Sequence, residues 1–367
     1  MKAYISPTLA LYIGGRFLAW VFGVSLVLAG VVLLGDAIEL LRRTSEKPDV
    51  GFGLVVIMAL LQLPSTAQEV MPFGLLGATL GCLAQLSRTS ELIIVRTSGA
   101  SIWQVLMPAL LLGLVIGVLR VGAFDPLAAA ASDRFDRMQQ RYIDDNNDPM
   151  VRVSPTGLWL RQATATDSYV LNAHSLSPRR ALFKEVTLLS FDAQDRFLGR
   201  VDAASAELKD QTWVLKDAQI IQPDKPPTRA AGITIPAKLT YKQILESFAS
   251  AATLSFWELP SFISVLEASG LPSRTHRLKY QRLLATPLLF VGIILLATSF
   301  ALRLPRFGGL PLAIGAGAMA GFLLYFLSSL AAALGVNSSM PLVLAAWGPA
   351  LITAILGITL LLYVEDG

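Results

Sequence analysis

Long apolar runs at both ends of the chain enclose a middle that alternates on a much shorter period. The first run extends from about Leu9 to Leu34, interrupted only by Arg16, and continues amphipathically through Ile38, Leu40 and Leu41. After a polar loop, Arg42 to Asp49, a second hydrophobic region reaches from Gly51 to Leu86. Pro64, Glu69 and Pro72 divide it into a 14-residue stretch, Gly51 to Pro64, and a longer one beginning at Val70. Proline removes a backbone donor, and a helix break inside a bilayer survives only where protein covers it. One long, broken span is expected here. Two short spans are the alternative, and they would invert everything downstream. A polar segment, Ser87 to Ser101, precedes a third span from Ile102 to Phe124. Spans four to six are Leu283–Leu302, Leu310–Leu334 and Pro341–Val364, with connections so short that they must lie side by side and antiparallel. A hydrocarbon core of about 30 Å needs roughly 20 helical residues, which these runs supply.

Between the blocks the pattern is that of strands. Leu158–Arg161, Tyr169–Leu171, Lys184–Phe191, Phe197–Val201, Thr212–Leu215 and Gln219–Ile221 are rich in β-branched and aromatic residues. Turn-forming sequences such as Asp192-Ala-Gln-Asp195 and Pro223-Asp-Lys-Pro-Pro227 separate them. That spacing predicts an antiparallel sandwich or jelly roll. Helical approaches, Ala128–Tyr142 and Phe256–Gln281, are expected on either side. The expected architecture is a membrane α-helical protein, three spans plus three, with an inserted all-β domain. Its divisions fall at 1–142, 143–253 and 254–367.

Composition agrees with two solvents in one chain. Of 367 residues, 54% are hydrophobic and 15% charged, against about 25% charged in soluble domains. A net charge of +4 does not indicate a nucleic-acid binder. Cys82 is the only cysteine, so no intrachain disulfide is possible. The first run is long enough to stay as an anchor, and no A-x-A-like cleavage site follows it.

The motifs of enzymes are missing. No G-x-x-x-x-G-K-[ST] loop occurs, and Gly315-Ala-Gly317 lies inside an apolar span. His174 and His276 are far apart without cysteine partners, so a metal site is not expected, and no serine sits in a G-x-S-x-G context. Small-xxx-small pairs, Gly77 with Gly81, Gly113 with Gly117 and Gly317 with Gly321, would let helices approach closely; the plain alternative is that glycine is common in membrane helices. Glu69 is either a relay within the membrane or, more simply, an interfacial acid that the prolines bring to water or to a base.

The loop Ser87-Arg-Thr-Ser-Glu-Leu-Ile-Ile-Val-Arg-Thr-Ser-Gly99 is more informative. Ser90 could cap a short helix from Glu91 to about Ser98, ended by Gly99 and made amphipathic by Leu92, Ile93 and Val95. A short helix lying along the membrane between spans is the usual form of a transmission element in a transporter without its own motor. Basic residues gather elsewhere: Arg134, Arg137 and Arg141 on one helical face, Arg42 and Arg43 after the first span, and Arg274, Arg277, Lys279 and Arg282 before the fourth. They either anchor headgroups or grip a phosphorylated amphiphile. The opposite side carries only Lys2, Arg16, Arg88, Arg96, Arg303 and Arg306, so positive-inside counting alone would put the β domain in the cytoplasm.

Three stretches carry a resemblance. They are Pro72-Phe-Gly-Leu-Leu-Gly77 leading to Leu83-Ala-Gln-Leu-Ser-Arg-Thr-Ser-Glu-Leu92 and Thr97-Ser-Gly99; Leu254-Ser-Phe-Trp-Glu-Leu-Pro260; and the ending Leu361-Leu-Tyr-Val-Glu-Asp-Gly367. Together they resemble the LptF/LptG family of lipopolysaccharide-export permeases, and within it most the LptG branch of alphaproteobacteria. The resemblance implies a multi-pass inner-membrane protein with a periplasmic jelly roll and both termini in the cytoplasm, against the charge count. It implies a heterodimer with an LptF-like permease, an LptB-like ATPase dimer that uses ATP and Mg, an LptC-like recipient, and lipopolysaccharide as cargo. No cofactor would be bound by this chain. Glu91, Leu92, Arg96 and Gly99 would belong to the coupling helix. Arg42, Arg43, Arg134, Arg137 and Arg141 would be lipopolysaccharide-binding candidates, the first four matching the family's basic residues with a small shift and Arg141 sharing the helical face of Arg134 and Arg137. Two rivals stay open: the permease of a lipoprotein-sorting or peptide-exporting system, with four spans, and an intramembrane enzyme using Glu69, which would be active without any ATPase partner.

Overall fold

A computed structural model of the chain describes residues 7–45, 51–97, 101–143, 150–154, 157–163, 167–177, 182–192, 194, 196–209, 212–223, 225–237, 251–268, 272–303 and 310–366. It divides into two compact units. One comprises Met1–Asp136, Ser255–Trp257 and Leu278–Gly367; the other comprises Arg137–Leu254 and Glu258–Arg277.

The helices are α1 (Pro7–Thr44), α2 (Phe52–Arg88), α3 (Glu91–Thr97), α4 (Ile102–Leu119), α5 (Asp125–Tyr142), α6 (Leu259–Ala268), α7 (Arg274–Arg303), α8 (Leu310–Val336) and α9 (Leu342–Asp366). Among the described residues, six helical segments are long and apolar enough to cross a membrane: α1, α2, α4 running on into α5, α7, α8 and α9. The four-span alternative fails on this number. The region from Gly51 to Leu86 forms one span, but not a broken one, because α2 runs unbroken through Pro64 and Pro72. Each proline removes a single donor and so interrupts the ladder at one bond, at Leu60 for Pro64 and at Gln68 for Pro72, which the rest of a long helix survives. The approach expected as one helix over Phe256–Gln281 is instead two, α6 and α7. Pro272, just before α7, does not support helix.

The glycine pairs prove to be contact points. A Cβ on Gly81 would lie 2.5 Å from the Trp20 ring, and one on Gly77 would lie 3.4 Å from Val24, so α2 meets α1 along this line. A Cβ on Gly117 would lie 2.6 Å from Pro287 Cα, and one on Gly113 would collide with Ile294, so α4 meets α7. Gly317 and Gly321 lie against Leu80, Leu76 and Phe73, so α8 meets α2. Without a hydrophobic force between helices in lipid, such close approach is what holds a bundle together. The resulting core joins Ile13 and Phe17 with Leu75, Leu83, Leu106, Phe290 and Ile294.

Among the described residues of the second unit, seven strands form one antiparallel sheet: β1 (Met150–Ser154), β2 (Gly157–Ala163), β3 (Asp167–Ser177), β4 (Leu182–Asp192), β5 (Phe197–Lys209), β6 (Thr212–Gln222) and β7 (Lys225–Pro236). They pair strictly in chain order. An all-β domain therefore stands where it was expected, but its strands make a consecutive meander, without the crossovers of a Greek-key jelly roll. The sheet rolls far enough for Gln162 Nε2 on β2 to donate to the Pro236 carbonyl on β7 at 3.2 Å. Its apolar face closes around Leu160, Leu171, Phe183, Leu188, Trp213 and Leu215, with Leu266 of α6 packed among them. Phe183 and Trp213 meet edge to face at 4.9 Å. The gap left beside Trp213 is about 10 Å³, about one water probe.

Two departures from the strand pattern shape the sheet. Thr212–Leu215 and Gln219–Ile221 are one strand, not two, because Asp217 takes a left-handed φ of 53° and the strand continues beyond it. Glu185 on β4 does the same at φ 51°. The pairing steps over His174–Glu185, Glu185–Ala204, Ala204–Asp217 and Asp217–Ala231, so a line of missing partners crosses β3 to β7. Pro226 and Pro227, expected in a turn, lie in β7, an edge strand that can spare their donors.

Candidate functional site: the clamp on the short helix

The short helix expected after Ser90 is present as α3, Glu91–Thr97. Ser90 does not cap it in the extended conformation of an N-cap. It takes a left-handed φ of 59°, turning the chain sharply out of α2, and its carbonyl receives Ile94 N–H at 3.1 Å. Gly99 lies outside the described residues, as does the side chain of Arg96. On the far side Ser101 and Gln104 form a reciprocal capping box at the start of α4.

Three residues of α1, spaced four apart on one face, hold this corner. Arg16 Nη1 donates to Glu91 Oε1 at 3.1 Å, and Tyr12 Oη donates to Glu91 Oε2 at 2.9 Å. Trp20 Nε1 donates to Gln85 Oε1 at 2.7 Å. The Arg16 guanidinium also lies over the Tyr12 ring, 5.0 Å from its centroid. Hydrogen bonds from Thr89 and Tyr12, together with the Arg16 charge, hold the Glu91 carboxyl below its ordinary 4.5. Leu92 is buried in the core that contains Ile13 and Phe17, whereas Ile93 and Ile94 are 59% and 65% exposed. The helix is thus fastened on one side and presents two isoleucines on the other. Sequence reasoning missed the clamp, although Tyr12, Arg16 and Trp20 at i, i+4 and i+8 are its visible signature.

The basic candidates do not gather here. Arg42 and Arg43 lie at the other end of α1, about 40 Å of helix from Arg16, and both bind Glu39, at 3.1 and 2.9 Å. Arg134 and Arg137 are exposed on α5, and Arg141 lies over the Tyr142 ring. Glu69 is exposed on α2, within electrostatic reach of Arg282.

A second constellation explains the Ser255-Phe-Trp257 motif. The helical span from α4 to α5 passes through a π-turn, Arg120–Phe124, which loosens the backbone ladder. The Gly122 carbonyl accepts Trp257 Nε1 at 3.0 Å. Asp125, 2% exposed, accepts Phe256 N–H at 2.8 Å and lies 3.9 Å from Lys279. Phe256 stacks on Tyr280 at 5.2 Å. A buried carboxylate thus ties the end of the third span, the turn at 255–257 and the first turns of α7 together.

No curated protein matches the chain. Over residues 11–363, nearly its whole length, the sequence matches the family described as lipopolysaccharide export system permease LptF/LptG. With six spans and an all-β domain inserted between the third and fourth, the chain belongs to the LptF/LptG permease family.

Proposed function

We propose that this chain is the LptG-type permease subunit of an ABC transporter that extracts lipopolysaccharide from the inner membrane. It pairs with an LptF-like permease, is driven by an LptB-like ATPase dimer, and passes cargo from a periplasmic β domain to an LptC-like protein. The observation that carries this reading is the clamped α3. A permease with no nucleotide loop receives its energy through a surface, and α3 offers one: Ile93 and Ile94 face outward, while Glu91 and Leu92 fix the helix to the bundle. Force on α3 then passes directly to α1 through Arg16 and Tyr12, as well as along the chain to α2 and α4. Large exposed apolar residues along α1 and α8, such as Phe22, Val31, Phe322 and Phe326, leave room for a second permease to enclose the amphiphile.

Acyl chains that enter the β domain would occupy its apolar inner face. That face is closed, so cargo needs the β2–β7 seam at Gln162 and Pro236 to part. Arg134 and Arg137 would meet phosphates on the way.

The test is co-purification from native membranes, together with lipopolysaccharide-stimulated ATPase activity, for Ile93→Asp with Ile94→Asp. Loss of the ATPase from a complex that still holds the partner permease is expected. Wild-type stimulation in this variant would remove α3 as the coupling element.

A further inference from the structure

We propose that Arg120 and Arg282 form a binding site for a phosphate anion carried by a membrane amphiphile, at the membrane level opposite α3. Arg120 lies 18 residues beyond Ile102 and Arg282 lies 21 residues before Arg303, so both sit roughly a bilayer thickness from the α3 end of their helices. The crossing of α4 and α7 places them together. Gly117 lets α4 approach the backbone at Pro287, and one turn later Arg120 Nη1 donates to Thr286 Oγ1 at 3.3 Å. Thr286 in turn donates to the Arg282 carbonyl at 3.0 Å. Arg282 Nη2 donates to Ser328 Oγ on α8 at 3.3 Å. Two guanidiniums from different helices are therefore held by hydroxyls, near enough to repel each other.

The neighbouring carboxylates soften that repulsion through space: Asp125 attracts Arg120 more than Arg282 repels it, while its oxygens face Phe256 N–H and Lys279, and Glu69 attracts Arg282. They leave Arg120 Nε buried with no hydrogen-bond partner. A buried donor without an acceptor is costly. A phosphate has the charge, and enough acceptor oxygens, to bridge two guanidinium forks. Arg282 is exposed on the chain surface, so the anion has a way in.

The phosphate chemistry stands apart from the permease reading; only the assignment of lipopolysaccharide as the donor of that phosphate rests on it. The full-length protein in neutral detergent is titrated with lipopolysaccharide, with phosphatidylglycerol and with inorganic phosphate, and bound ligand is counted by native mass spectrometry. Arg282→Gln should weaken binding about tenfold in at least one lipid arm. Arg282→Lys should weaken it less, keeping charge without the fork, and Arg229→Gln on the β-sheet should change nothing. Arg120→Gln should match Arg282→Gln; if that variant is not recovered folded, the exposed Arg282 pair decides alone. A response with lipopolysaccharide places the cargo here, and one with phosphatidylglycerol alone places a resident lipid. If no form binds lipopolysaccharide while phosphatidylglycerol responds, the permease reading fails and this site stands. Unchanged affinity for both lipids on loss of Arg282 overturns the site, even where lipopolysaccharide still binds elsewhere.

Discussion

Arg16 donates to Glu91 across 3.1 Å, joining two residues separated by 75 positions in the chain. The lone charge in the first apolar run is thereby an anchor for α3, and the acid that opens α3 is held by α1. The pair is partly exposed, each side chain at 29%, so its worth lies in position more than in stability.

If Arg16 and Glu91 act as one unit, Arg16→Gln and Glu91→Gln should each lower ATPase stimulation, and the double variant should fall no further than the worse single one. A double-mutant cycle on stimulated ATPase activity reads this directly. Additive losses would separate the two residues.

The clamp should respond to acid in a defined direction. The Glu91 carboxyl is held below 4.5 chiefly by Thr89, then by Tyr12 and Arg16. A lowered value means that the folded form favours the charged carboxylate, so its contribution is complete above 4.5 and is lost as pH falls through the lowered value. Fluorescence of a variant retaining only Trp20 should stay flat from pH 8 to about 5 and change below that. Glu91→Gln should abolish the acid transition.

The α4–α7 crossing has no room for a methyl group. Gly117→Ala should cost about 1–3 kcal/mol, because the added Cβ meets backbone at Pro287. Gly15→Ala, with nothing within 4 Å, should be neutral or slightly stabilising. Unfolding of the two variants in detergent gives the comparison.

At the π-turn, Asp125→Ala strands the Phe256 N–H and should destabilise by about 1–3 kcal/mol. Asp125→Asn keeps an acceptor at 2.8 Å and should cost less. Proteolysis near residues 255–257 should accelerate in that order.

Transfer through the β domain should depend on the seam. In a Cys82→Ser background, Gln162→Cys with Pro236→Cys, oxidised to a disulfide, should block passage of lipopolysaccharide while leaving ATPase assembly intact, and reduction should restore it. Transport through the oxidised form would show that the inner face is not on the route.

The spans were legible because apolar length is a direct statement about a bilayer. The strand signal was equally direct for β2 to β5, where β-branched and aromatic residues alternate. It failed where a single residue changes the rule. Asp217, at a left-handed φ, looks like a strand end and is a bend within one. Pro226 and Pro227 look like a turn, but an edge strand needs no donor from them. Met150–Ser154 is too short to stand out beside its neighbours. The candidate site was half legible. Glu91 and Leu92 could be located from the local pattern, and Tyr12, Arg16 and Trp20 form a visible stripe on α1, but nothing local says that the stripe pairs with a helix some 75 positions away. The π-turn had no signal either, since one extra residue in a helical turn does not alter an apolar run.

The line His174, Glu185, Ala204, Asp217 and Ala231 gives the β unit an uneven stiffness. Away from it the strands pair continuously except for the irregularities at Ser190–Phe191 and Ile220–Gln222; along it the gap repeats in four successive strand pairs. Strain from any load on the sheet will collect there. Bending of the sheet is therefore expected along that line sooner than elsewhere in it.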